Sequence, residues 1–302
     1  QAGIVIEVAG RSLRIVEGSE VRIAKLASRA TKPLVGDLVS SKSGSDDSLV
    51  ELILPRKNKL SRTFSYQDRE IVANLDALLL ITAVGALFNP IALDRVLSVA
   101  SAEGIPVALI LNKIDLGVED RFAVYASVVK SIFSISAKYG DGLEGLSSFL
   151  EDPQLRVVAL CGVSGVGKST LLNRLAPQAE SRTQEVSLKT GQGRQTTSQA
   201  IGHLIDRGRE NPSLVLVDLP GVQQFGVSNL SEQTIRASFP EFERLVSGCR
   251  YKDCRHLEEP ECHVKAVLGT LEMPTSRYES YRNMLEELEN LPESRKYGRK
   301  RE

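Results

Sequence analysis

The sequence predicts a three-part fold: a central α/β P-loop domain, an all-β barrel ahead of it, and a helical unit behind it that holds a metal. Three observations carry that reading. The apolar run Val157–Cys161 leads into GVSGVGKS and then into a helix-forming stretch. Five short strand patterns separated by turn residues fill the first 64 positions. Near the other end, Cys249, Cys254, His256 and Cys262 stand in a C-x-x-x-x-C-x-H-x-x-x-x-x-C pattern. The expected divisions are residues 1–64, 65–228 and 229–302.

In the first division, Gly3–Val8, Ser12–Val16, Glu20–Ala24, Val35–Val39 and Leu49–Leu54 each read as a strand, with Gly10 and Gly18 at turns. Five short strands in so few residues fit a small barrel of the OB type. The segment carries eleven Lys and Arg against seven Asp and Glu, in a chain whose 38 basic and 38 acidic residues cancel. A local excess within overall neutrality suits one anionic contact face and argues against a protein that coats nucleic acid over its whole surface. A merely solvated barrel surface accounts for the same charges. Aromatic residues are scarce before Phe64 and Tyr66, so base-by-base stacking on single strands is not expected.

The central division opens with the buried-strand pattern Leu78–Val84 and a helix from Pro90 to about Glu103. Strands and helices then alternate, which is the pattern of a parallel α/β sheet. The decisive stretch is strand, G-x-x-x-x-G-K-S, helix, the context a phosphate-binding loop needs. Gly162, Val163, Ser164, Gly165, Val166 and Gly167 turn their backbone N–H groups inward onto phosphate oxygens. The helix starting at Lys168, Ser169 and Thr170 adds its N-terminal partial charge. Lys168 is expected to reach the β- and γ-phosphates, and Ser169 to ligate Mg²⁺. Downstream, Ser213–Val217 runs into Asp218-Leu219-Pro220-Gly221, a D-x-P-G element. Its Asp218 would hold the Mg²⁺ shell through water, and its Gly221 N–H would sense the γ-phosphate. Between these lies Gly193-Arg194-Gln195-Thr196-Thr197-Ser198, within a polar stretch, Gln178–Ser198, read as a mobile switch loop. Thr197 or Thr196 would place a hydroxyl on Mg²⁺, and spacing alone does not choose between them.

Two further elements select the base. The strand pattern Val107–Leu111 ends in Asn112-Lys113-Ile114-Asp115, an N-K-x-D element. A carboxylate at Asp115 accepts from the N1–H and exocyclic amine of guanine, donors that adenine does not offer there. Charge-assisted bonds contribute about 1.5–3 kcal/mol each, so two of them favour guanine roughly a hundredfold or more. The strand-like Ser131–Ile135 leads into Ser136-Ala137-Lys138, an S-A-K loop that backs the base. GTP and GDP are therefore the expected ligands, and an ATP-specific P-loop is disfavoured by Asn112 and Asp115. In ordinary GTPases N-K-x-D and S-A-K follow the P-loop; here both precede it. A circular permutation explains the order. A doubly wound sheet gathers its ligand loops at the strands' C-terminal ends whatever the strand sequence, and chain ends lying close together tolerate rejoining.

That permuted order, together with GVSGVGKST, GRQTTS and DLPGV, resembles the ribosome small-subunit-dependent GTPase A family, also called RsgA or YjeQ, from about Gly3 to about Leu291. The resemblance implies an OB-fold that holds ribosomal RNA, a partner in the small ribosomal subunit late in its assembly, and hydrolysis stimulated by the ribosome. It also sets out one departure. Many GTPases place Gln after the Gly of D-x-x-G to orient water, whereas this chain has Val222. The family typically carries His where this chain has Gln195, which becomes the candidate water-orienting residue, with a solvent-facing loop side chain as the alternative.

In the last division, three thiolates and one imidazole from Cys249, Cys254, His256 and Cys262 complete a closed tetrahedral Zn²⁺ site with no open position for catalysis, and the spacing matches the family's. His263, next to Cys262, is left out because it would point away. Thr275–Leu291 reads as a helix with Tyr278, Tyr281, Leu285 and Leu288 toward one face, and Ser294–Glu302 as a basic tail facing RNA phosphates or solvent. Clustered cysteines beside a histidine suit a reducing compartment. The longest apolar run, Ala77–Phe88, is shorter than the roughly 20 residues a membrane span needs. No secretory pattern opens the sequence, and its start at Gln1 leaves a removed transit peptide open. The expectation is a monomeric cytoplasmic GTP hydrolase, or one in an organelle stroma or matrix, that acts as a switch in small-subunit maturation. An RNA-binding assembly module with slow turnover is the alternative.

Overall fold

The computed structural model describes residues 2–27, 31–42, 48–64, 67–177, 200–205, 207–208, 212–219 and 225–291. The first five strands, β1 (Gly3–Ala9), β2 (Ser12–Glu17), β3 (Glu20–Leu26), β4 (Leu38–Lys42) and β5 (Ser48–Ile53), close into a barrel in the order β1-β2-β3-β5-β4. Its core is Val5, Leu13, Ile15, Ala24, Leu26, Val39 and Val50. Strand β1 reads Ile4-Val5-Ile6 without alternation because both of its faces are buried. Val5 enters the barrel, while Ile4 and Ile6 join the larger core beyond it.

The fourth strand differs from the expectation of Val35–Val39: it begins at Leu38. Residues 34–37 turn instead, with Gly36 at φ +88°, where a Cβ would lie 2.0 Å from the Ala73 carbonyl oxygen. Asp37 caps that turn by accepting from the Leu34 N–H at 2.7 Å. The barrel thereby packs against an unanticipated hairpin of β6 (Lys59–Phe64) and β7 (Gln67–Ala73). Arg56 locks this junction. Its guanidinium donates to both oxygens of the buried Asp37 at 2.7 and 2.9 Å and to Glu70 at 2.8 Å.

Six strands make the central sheet: β8 (Ala77–Ala83), β9 (Val107–Asn112), β10 (Ser131–Ser134), β11 (Val157–Gly162), β12 (Ile201–Ile205) and β13 (Leu214–Asp218). Their order is β10-β9-β8-β11-β13-β12, parallel throughout except for antiparallel β12 at the edge. Every residue of β8 and β11 is buried, as continuous apolar runs in a two-sided sheet require. Helices α2 (Leu143–Leu150) and α3 (Lys168–Leu175) cover one face through Leu146, Leu150, Leu171 and Leu172. Helix α1 (Pro90–Ala102) covers the other. It starts where expected because Pro90 supplies a helical φ and Asn89 caps the Ala92 N–H at 3.1 Å.

Four helices follow: α4 (Glu232–Ala237), α5 (Pro240–Leu245), α6 (His263–Ala266) and α7 (Thr275–Glu289). Helices α4 and α7 dock on α1, and the four extend the same core. At the centre of the contact lies Arg277, fully buried. It donates to Asp94 on α1 at 2.5 Å and to both oxygens of Glu241 on α5 at 2.7 and 3.1 Å, with its guanidinium 4.3 Å from the Phe239 ring centroid. Ser98 to Ser238 at 2.6 Å and Arg95 to Glu287 at 2.6 Å reinforce the junction.

Candidate functional site

Parallel strands β8, β9, β10, β11 and β13 send their C-terminal ends to one edge of the sheet, so the loops that sequence reasoning singled out meet there despite their distance along the chain. The phosphate loop follows β11 and passes into α3. Gly167 takes φ +96°, and a Cβ there would stand 2.2 Å from the Asn112 amide nitrogen. Asn112 is buried, donates from Nδ2 to the Val166 carbonyl at 2.7 Å, and accepts from the Ala137 N–H at 2.8 Å. One side chain thus ties the N-K-x-D element, the P-loop and the S-A-K loop together. Asp115 accepts from the Ser136 hydroxyl at 2.5 Å, and Lys113 adopts a left-handed conformation at φ +65° that turns the loop between them.

On the phosphate side, Lys168 Nζ donates to the Asp218 carboxylate and to the Leu219 carbonyl at 2.9 Å. The P-loop lysine and the D-x-P-G aspartate therefore face each other across the cradle. Ser164, Gly165, Ser169 and Thr170 are exposed around it. Ser169 and Asp218 form a donor set of a hydroxyl and a carboxylate beside a phosphate cradle, which fits Mg²⁺. Cys161, at the root of the loop, is packed in the core; burial pushes its thiol up to about 12, which keeps it neutral. Thr196, Thr197, Gln195, Gly221 and Val222 lie outside the described residues, as do Gln178–Ser198 and the tail from Ser294.

Arg174, two turns along α3, escaped sequence reasoning. Its Nε donates to the Ala137 carbonyl and its Nη2 to the Lys138 carbonyl, each at 2.5 Å. No local pattern flags it, since an arginine on a short helix usually faces water. Lys138 in turn lies 4.7 Å above the Tyr139 ring.

The second cluster is in the C-terminal unit. One ligand atom each from Cys249, Cys254, His256 and Cys262 lie within 4.8 Å of one another, and all but Cys249 are buried. His256 points Nδ1 inward, 3.7 Å from Cys249 Sγ and 3.5 Å from Cys262 Sγ. Its backbone is left-handed at φ +64°, a strained posture for a non-glycine residue. Burial, then the neighbouring Arg236, lowers the imidazole's pKa and favours the neutral, ligating form. Burial foremost pushes the Cys254 thiol up to about 12, so that thiol needs a cation before it ionises. The donor set therefore fits a metal. Tyr278 and Tyr281 do more than pack: their hydroxyls donate to the His256 carbonyl at 2.7 Å and the Arg255 carbonyl at 2.9 Å, fixing the loop that presents the histidine. His263 packs under Gly248.

The family model described as RsgA GTPase matches residues 53–228. A curated protein of Shewanella oneidensis, named small ribosomal subunit biogenesis GTPase RsgA, is 31% identical over 314 residues, which cover 98% of this chain and 86% of that protein. A protein of the same name from Haemophilus influenzae is 30% identical over 93% of this chain and 83% of its own length. Among solved structures, YjeQ from Thermotoga maritima superposes with a TM-score of 0.73 at 28% identity, over 97% of this chain and 99% of that one. YloQ, described as a circularly permuted GTPase, shares the fold with a TM-score of 0.67 at 23% identity, over 96% of each chain.

Proposed function

This chain belongs to the RsgA GTPase family, and on that premise we propose that it is the GTP-hydrolysing switch of a late step in small ribosomal subunit maturation. It is a GTPase with a circularly permuted P-loop domain. The observation that supports the nucleotide reading is the Asn112 bridge, which holds the base-reading and phosphate-binding loops at one distance although their order along the chain is reversed. Asp115 reads guanine while Ser136, Ala137 and Lys138 back it. The backbone of Gly162–Thr170 and the Lys168 ammonium hold the phosphates. Ser169, Asp218 through water, and Thr197 or Thr196 would hold Mg²⁺, which supplies charge neutralisation on the transferred phosphoryl group when bound. Gln195 orients the attacking water, standing in for the residue replaced by Val222.

Cys249, Cys254, His256 and Cys262 hold one structural Zn²⁺, with Nδ1 as the histidine ligand. Residues 1–64 and 229–302 flank the GTPase part and grip the ribosomal RNA between them; the chain works as a monomer in the cytoplasm. No helix among the described residues is long and apolar enough to cross a membrane. Three of the barrel's cations, Arg14, Arg22 and Lys42, already pair with Glu7, Glu20 and Glu51.

The deciding experiment measures GTP affinity and turnover with and without small subunits. Asp115→Asn should weaken GTP and favour xanthosine nucleotides, whose extra carbonyl pairs with an amide; unchanged GTP affinity would refute the base assignment. Gln195→Ala should abolish subunit-stimulated turnover at unchanged affinity. If stimulation survives, the water is oriented by another group.

A further inference from the structure

The base-reading loop is clamped from two sides, and only one clamp belongs to the N-K-x-D element. Asn112 holds the Ala137 N–H. From the opposite side the Arg174 guanidinium takes two consecutive carbonyls, Ala137 and Lys138, both at 2.5 Å. The turn closes around it: the Gly140 N–H donates to the Ser136 carbonyl at 2.7 Å, and a Cβ on Gly140 would stand 3.2 Å from Arg174 Nη1. All described peptide bonds are trans. A trans peptide directs its C=O and N–H to opposite sides. Fixing the Ala137 and Lys138 carbonyls on α3 therefore turns the following N–H groups, those of Lys138 and Tyr139, away from the helix.

We propose that Arg174 is a positioning residue for guanine selection, setting the peptide planes of Ser136–Gly140 from the helix that also begins the phosphate site. The proposal rests on the reading that this loop backs guanine. It follows from the fork geometry of the guanidinium. Two parallel N–H groups match two adjacent carbonyls, a fit that a single ammonium cannot reproduce. Lys168, six residues earlier on the same short helix, holds phosphate, so base and phosphate subsites are built on one rigid element.

The test uses the full-length chain with Arg174→Ala and Arg174→Lys, and measures binding of GDP, ADP and inorganic pyrophosphate. Arg174→Ala should weaken GDP by roughly tenfold or more, the loss expected from charge-assisted bonds, while pyrophosphate and ADP binding stay within about twofold. Arg174→Lys should recover little of the GDP-to-ADP preference. Thermal unfolding verifies that both variants are folded. Equal losses for GDP and pyrophosphate would mean a helix defect and overturn the proposal, as would an unchanged GDP-to-ADP ratio or full rescue by lysine. Asp115→Asn is run alongside. If it too leaves GDP binding unchanged, the base-site reading fails; if it weakens GDP while Arg174→Ala does not, only the role of Arg174 fails.

Discussion

Arg56 and Arg277 each gather two carboxylates at a junction of this molecule, and the two junctions differ in water. Arg56 joins barrel to hairpin through Asp37 and Glu70, with its side chain 17% exposed and Glu70 36% exposed. Arg277 joins the C-terminal helices to α1 through Asp94 and Glu241, with all three at most 2% exposed. Solvent reaches Arg56 and Glu70 at the first junction, although Asp37 is buried there, and it reaches no member of the second. A buried ion cluster offers little net stability over an apolar replacement, yet it is severely damaged by losing one member, because the survivors stay charged and dry. The Arg56 junction, by contrast, rests heavily on shape: the backbone of Gly36 against Ala73 leaves no room for a side chain.

The largest effect expected lies beside the buried cluster, at the proposed metal site. Apparent binding energies of structural zinc in small peptides are roughly 10–16 kcal/mol. Cys254→Ser should lose one zinc equivalent by elemental analysis and unfold the C-terminal helices to proteolysis, while the P-loop still binds GTP and the Arg56 junction stays folded. A metal-free C-terminal unit that resists protease would break this half of the comparison.

Next comes the cluster itself. Arg277→Ala should lower stability in urea by about 3–5 kcal/mol. The triple change Arg277→Met, Asp94→Leu, Glu241→Leu should recover most of that loss, because no uncompensated charge remains. Arg56→Ala should lose less, about 1.5–3 kcal/mol, the range for hydrogen bonds to charged groups. If the two alanine variants match, burial is not what separates the junctions.

The smallest effect is the pH dependence at Glu70. The hydrogen bond from Lys59, with Arg56 adding its charge, holds this carboxyl below its ordinary value of 4.5. A depressed folded value means the contribution is complete above the ordinary value and is lost as pH falls through the folded one. Denaturant midpoints between about pH 5 and 3 should therefore fall less steeply in Glu70→Gln than in the parent chain.

The contrast also explains what a reader of the sequence can see. The P-loop, N-K-I-D and the cysteine–histidine pattern are short-range, with spacing and chemistry in one window, and the structure brings the described members of each together. Helix α1 was announced by Asn89-Pro90, a cap and a start in two residues. The Arg277 cluster was invisible because Asp94 is 183 positions away and either residue alone resembles an ordinary surface charge. Arg174 hid for the same reason, 36 and 37 positions from the carbonyls it holds. The fourth strand begins later than expected because Val35 and the pair Leu38-Val39 frame Gly36-Asp37 with β-favouring residues, while the neighbouring hairpin demands a turn there. That hairpin went unnoticed because its polar alternation, with Arg62 facing Arg69 across the pair, lacks the apolar signal on which strand recognition depends.

The seam between β8 and β11 has a consequence for how the chain is made. Strands β8, β9 and β10 leave the translating ribosome before β11 exists, and β8, apolar except for Thr82, has an unpaired edge until Val157–Gly162 emerges. In the ordinary order the phosphate strand comes early, and nucleotide can join a half-made sheet. Here the base-reading half comes first and the cradle later, so GTP stabilises only a nearly finished domain, by mass action on the native state. Until then the nascent half-sheet exposes as its edge the strand that lies in the middle of the finished sheet, where pairing with another chain competes with completion.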